Sequence, residues 1–173
     1  MNEQEISGVV QAVLEKMKNT GSAQSSGHVC QCKKHKMTLD TANALIRKVR
    51  EKAAQMGVRA VVAVADQAGR PVAVQSMDGA YIASFDIALN KSFTSASLKM
   101  STEALSHLSQ PGQPLYGIQF TNDGKIVIFG GGEVLEADGK MIGAIGVSGG
   151  TAEQDTKLAS YGREVFKEVI ACL

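Results

Sequence analysis

The densest set of potential ligands is His28-Val29-Cys30-Gln31-Cys32-Lys33-Lys34-His35, with two imidazoles and two thiols in eight residues. Thiolate and neutral imidazole suit zinc, iron and haem iron. The spacing is neither CxxC nor the CxxCH of covalent haem attachment. Lys33, Lys34 and Lys36 favour the thiolate forms and could pair with acidic groups on a ligand. A polar linker whose cysteines merely lie close together is the competing reading, and both stay open. Three cysteines in all, an odd number, argue against a disulfide framework.

Other groups offer less. His107 falls on a short helix, as a surface histidine or as an axial ligand at a subunit junction. Asp86, Asn90 and Lys91 are expected on one helical face, either as an exposed polar set or as a wall under the Gly130–Gly132 turn. Gly149-Gly150-Thr151 opens a helix, where free N–H groups could hold an anion; a plain strand-to-helix turn explains it equally. Asp66, Asp78 and Asp155 read as caps of turns and helix ends, and Tyr116 as a core or interface residue rather than an acid. Ser148 has no adjacent histidine and GVSGG is not a GxSxG elbow, so no catalytic residue is assigned.

Three parts must position these groups. Residues 1–18 carry an amphipathic helix over 3–18, with Ile6, Val9, Val10, Val13, Leu14 and Met17 at helical spacing. Residues 19–37 form a flexible linker containing the Cys/His cluster, and residues 38–173 the folded domain. A helix so short is marginal alone, so its apolar stripe is expected to dock on another protein, with packing back on its own domain or on a second copy as the alternative.

Within the domain, Thr38 caps a helix to about Met56, and Ala60–Asp66 and Pro71–Met77 form a hairpin. Residues 82–98 are expected to be helical with Ile82, Phe85, Ala88, Leu89, Phe93 and Ala96 inward, followed by a short helix over 101–108. Gln110–Pro114 breaks the pattern as a loop. Strands are expected at Lys125–Phe129, around Glu133–Leu135 and at Met141–Ser148, before a helix from Thr151 to about Ile170. Thr151 and Gln154 fit a capping box. The order defines an α+β fold with an antiparallel sheet. GxGxxG after the first strand and GxxxxGK[ST] are both missing, which removes the dinucleotide and P-loop readings.

Hydrophobic residues at 44% suffice for a core, and a net charge of +1 gives no general attraction to nucleic acid or anionic membrane. No apolar run reaches the ~18 residues of a membrane span. The N-terminus does not read as a secretory signal, so a cytoplasmic location is expected.

Val62-Ala63-Val64-Ala65-Asp66 with Gly69, Met77-Asp78, Asp86–Lys91, Gln110-Pro111-Gly112 with Leu115-Tyr116-Gly117, Phe129–Gly132 and Ile142–Thr151 with Glu153-Gln154-Asp155 form an ordered series. In that series the domain closely resembles the GlcG/HbpS-like family, known from haem-binding proteins and as the C-terminal domain of PduO-type cobalamin adenosyltransferases. The resemblance implies a profilin-like antiparallel sheet flanked by helices, and dimers that build larger homo-oligomers. It also implies haem binding, with corrinoid as the alternative. Some relatives carry a histidine at the position that aligns with Glu103 here. The expected cofactor-binding residues are therefore His28, Cys30, His35, Glu103, His107, Gly149, Gly150 and Thr151, with His28, Cys30, Cys32 and His35 as metal ligands.

Residues 1–18 resemble the encapsulation peptides that bind microcompartment shell proteins. Together these likenesses imply a haem- or corrinoid-binding accessory protein in a bacterial microcompartment lumen, supporting cofactor or redox maintenance. No adenosyltransferase activity is expected. A small enzyme of haem degradation or of diol or glycolate metabolism, and a non-catalytic structural cargo protein, are the alternatives.

Overall fold

The computed structural model describes residues 36–171. Four helices and four strands follow one another as α1 (Leu39–Gln55), β1 (Val61–Asp66), β2 (Pro71–Ser76), α2 (Ser84–Leu98), α3 (Thr102–Leu108), β3 (Gly132–Ala137), β4 (Lys140–Ser148) and α4 (Ala152–Ala171). The strands form one antiparallel sheet in the order β2-β1-β4-β3. The fold is α+β, with helices on both faces of the sheet. No helix among the described residues is long and apolar enough to cross a membrane.

Local chemistry sets the boundaries. Thr38 Oγ1 accepts the Thr41 N–H at 3.1 Å and starts α1, while Gly57, at φ +69°, ends its last turn. The β1–β2 hairpin turns on Asp66, whose Oδ1 accepts the Ala68 and Arg70 N–H groups at 2.8 and 3.0 Å.

Alternation along β1 then divides the core. Val62 and Val64 join Leu135, Ile145 and Val147 against Leu45, Ile46, Val49, Leu158 and Phe166 of α1 and α4. Val61 and Ala63 face Ala88 of α2 on the opposite side.

Two expectations need correction. Residues 125–129 are not a strand. Thr94 Oγ1 accepts the Val127 N–H at 3.0 Å and donates to the Lys125 carbonyl at 3.3 Å, so α2 satisfies groups that a ladder would have used. Strand β3 starts only at Gly132 and runs longer than the short piece expected there.

The second correction concerns α2. Ile82 lies before the helix and is 96% exposed, and Phe85 is also exposed. The buried positions are Ser84, Ala88, Lys91, Ser92, Thr94, Ser95 and Ala96. Large apolar side chains do not fill this interface because the sheet leaves no room for them.

Candidate functional site

Glycines decide how closely α2 approaches the sheet. Gly132 and Gly146 are cross-strand partners on β3 and β4. A Cβ on Gly146 would collide with the Ala88 carbonyl and lie 2.6 Å from Ser92 N; on Gly132 it would lie 2.7 Å from Ser95 Oγ and 2.8 Å from the Lys91 carbonyl. The helix therefore rests on bare strand backbone.

One long side chain enters this tight layer. Lys91 is wholly buried, and its Nζ donates to the Val147 carbonyl at 2.9 Å and to Asp155 Oδ2 at 2.8 Å. Asp155 Oδ1 accepts the Gly150 N–H at 2.9 Å. The Phe129 ring centre lies 4.8 Å from Nζ, a cation–π contact that covers the ammonium. A Cβ on Gly131, at φ +117°, would come within 2.6 Å of Nζ. Burial pushes the Lys91 ammonium below the ordinary lysine value, against the opposing pull of Asp155. The pair joins α2, the end of β4 and the start of α4. It is a satisfied structural tie, with no free base or nucleophile.

Lys91 was expected beside Asp86 and Asn90 on one face. Five positions along a helix of 3.6 residues per turn rotate a side chain by about 140°, which turns Lys91 inward while Asp86 stays exposed. A lysine within the small-residue stripe Ser84, Ala88, Ser92 and Ser95 is the signal that could have located it.

The start of α4 is internally occupied. Thr151 N donates to Gln154 Oε1 at 2.9 Å and Gln154 N to Thr151 Oγ1 at 3.2 Å, the reciprocal capping box. With Gly150 N held by Asp155, two of the amides offered to an anion at Gly149–Thr151 are already engaged.

Helix α3 presents a different surface. Ser101 Oγ accepts the Ala104 N–H at 3.1 Å, and buried Thr102 Oγ1 accepts the Gly132 N–H at 2.8 Å, hanging α3 on the first residue of β3. Glu103 and His107 are exposed and stand one turn apart. After the Gln110–Pro114 loop the chain returns, with Leu115 N donating to the Leu108 carbonyl at 3.0 Å. Exposed Leu108, Tyr116 and Phe120 thus accompany this helix and loop.

Beside the first turn of α3 lies Glu133, a group the sequence reading passed over. Its buried carboxylate accepts from Ser160 Oγ at 3.2 Å and stands 3.6 Å from Arg163 Nη1. Burial pushes its carboxyl above the ordinary glutamate range, Arg163 and Ser160 oppose that, and nearby Glu103 adds to it.

His28, Cys30, Cys32 and His35 lie outside the described residues, as does the helix expected over 3–18. Among the described residues no three His, Cys, Asp or Glu side chains converge as a metal site. Among the described residues, an open groove of about 280 Å³ is lined by Arg47, Arg50, Glu51, Ala54 and Met77, and one of about 370 Å³ by Val134, Glu136, Arg163, Glu164 and Lys167. Neither offers the apolar enclosure of a typical ligand pocket.

A four-stranded antiparallel sheet with helices on both faces, an irregular glycine turn and a buried Lys–Asp tie define the class of domain. Residues 37–164 match the family described as haem degrading protein HbpS-like. The chain belongs to that family. It is 44% identical over 133 residues to a 15.0 kDa protein of the dhaT-dhaS intergenic region of Citrobacter freundii, covering 77% of this chain and 94% of that one. It is 40% identical over 115 residues to the corrinoid adenosyltransferase PduO of Salmonella typhimurium, covering 66% of this chain but only 34% of that enzyme. Among solved structures, the PduOC:heme complex is similar at a TM-score of 0.71 and 36% identity, over 75% of this chain and 94% of that one.

Proposed function

We propose that this chain is a haem-binding accessory protein of a bacterial microcompartment. It self-associates, and residues 1–18 engage a shell protein. One observation carries the haem reading: Glu103 and His107 stand exposed on α3, with Leu108, Tyr116 and Phe120 exposed on the same helix and its returning loop. An imidazole and a carboxylate can ligate iron, and uncovered aromatic and aliphatic groups suit the face of a tetrapyrrole. They fit a group held at a junction between copies, because they stand exposed on the surface of the single chain. Membership of the HbpS-like family and similarity to a haem complex support this reading.

In this reading His107 would hold the iron through its imidazole, and His28, Cys30, Cys32 and His35 form the other candidate donor set. Haem would bring a redox-active iron suited to electron exchange. The chain's own part is to bind it, orient it and keep water from its faces. Corrinoid remains the alternative ligand.

Titration with haem, followed by absorption, separates the donor sets. His107→Ala is expected to shift or abolish the Soret band. Loss of the band only when His28, Cys30, Cys32 and His35 are replaced together would move the ligands to residues 28–35. Deletion of residues 1–18 is expected to leave the folded domain and oligomer intact while the protein no longer co-purifies with shells; cargo retained without that segment would refute the targeting reading.

A further inference from the structure

The sheet has two edges of opposite character. Strand β3 carries Glu133 and Glu136, and self-pairing about its centre would set Glu133 against Glu136 of the second copy, a like-charge opposition. Each edge strand has one irregular pairing, β3 with β4 between Leu135 and Glu136 and β2 with β1 opposite Val64 and Ala65, so it is charge that separates the two edges. Strand β2 is Pro71-Val72-Ala73-Val74-Gln75-Ser76, without a single charge, and has a neighbour on one side only. Uncharged edge strands are the ones that accept another strand.

The direction of the free groups follows from the register. Met77 N donates to the Ala60 carbonyl at 3.0 Å, and Gln75 and Ala73 pair with Val62 and Val64. Peptide groups alternate in an antiparallel ladder, so Ala73 and Gln75 turn theirs toward β1 while Val74 and Ser76 turn theirs outward. An antiparallel pair centred on Val74 sets Val74 against Val74, Ala73 against Gln75 and Val72 against Ser76, with no charge opposed to a like charge.

The rim of this edge carries both signs. Gln75 Oε1 accepts from Arg50 Nη1 at 2.6 Å, and Arg47, Arg50, Glu51 and Met77 line the groove beside it. A patch holding arginine and glutamate together can be complementary to itself across a two-fold axis.

From this we infer that β2 is the strand through which two copies of the chain join, antiparallel about Val74, into one continuous eight-stranded sheet (twice the four strands of one chain). The inference rests on the self-association reading above and specifies its surface. Proline at position 74 or 76 removes an outward N–H without breaking a bond to β1, and edge strands tolerate it.

The full chain and its Val74→Pro and Ser76→Pro variants are compared by light scattering after size exclusion, with circular dichroism to confirm folding. The expected result is a multimeric parent and folded variants at half its mass or less. In the parent, slow hydrogen exchange at the Val74 and Ser76 amides is expected. A multimeric parent whose folded variants keep its mass, or whose Val74 and Ser76 amides exchange rapidly, overturns the β2 interface alone. A monomeric parent overturns self-association itself. Should proline unfold both variants, the exchange of those two amides decides.

Discussion

Replacing Lys91 by alanine is expected to destabilise the domain by about 3–5 kcal/mol, because it strands a buried carboxylate. Asp155 is 3% exposed and would keep only the Gly150 N–H at 2.9 Å as a hydrogen-bond partner. The Val147 carbonyl would lose the ammonium donor it now has at 2.9 Å. Asp155→Ala should cost as much, leaving the ammonium with one carbonyl and the Phe129 ring. The pair Lys91→Met with Asp155→Leu should recover much of the loss, since both buried charges leave together. Urea denaturation of the parent, Lys91→Met, Asp155→Leu and the combined variant measures this as a coupling energy. Additive losses, or a single-variant cost below about 1 kcal/mol, would show that water reaches the pair and that the tie is not structural.

Gly146→Ala is the second large effect. The added methyl meets the Ala88 carbonyl and the Ser92 N–H, which are backbone of α2 and cannot rotate away. Inserting one methyl group into a well-filled core costs about 1–3 kcal/mol, and more where no side chain can yield. We expect at least the top of that range, with a fall in Tm on the order of 10 °C from a conversion of about 2–4 °C per kcal/mol. Gly139 provides the control, since a Cβ there meets nothing within 4 Å and its φ of +70° suits asparagine. Gly139→Asn should therefore melt close to the parent. Equal melting of Gly146→Ala and the parent would mean that α2 can lift from the sheet at little cost.

These two sites also mark where the sequence was legible and where it was not. The capping residues Thr38 and Thr151, the Asp66 turn and strand β1 depend on local chemistry, so their residues announce them. Helix α2 depends on what lies beneath it. A periodic stripe of Ile82, Phe85 and Leu89 suggests an inward apolar face, yet Gly132 and Gly146 bring the helix too close for such side chains. The small residues turn inward and part of the apolar stripe is left outside. The run at 125–129 looked like a strand because its apolar pattern is right, but Thr94, distant in sequence, takes its hydrogen bonds. Lys91–Asp155 and Glu133–Arg163 span 64 and 30 positions respectively (155 − 91 and 163 − 133), and spacing along the chain does not reveal partners that far apart.

The candidate site divides in the same way. Glu103 and His107 were visible as ligand types on a short helix, whereas their attachment to the glycine run through Thr102 and Gly132 is tertiary. Gly132 and Gly146 allow close contact between α2 and the sheet, and at the helix start expected either to hold an anion or to make a plain turn, the amides of Gly150 and Thr151 are used within the chain.

The central claim is that this chain binds haem. Its most direct test is an absorption titration of the purified full chain with haem, with cobalamin titrated in parallel. The expected result is a saturable Soret band, distinct from that of free haem, at a fixed haem-to-chain ratio. A spectrum equal to the sum of free haem and protein at every addition would contradict it.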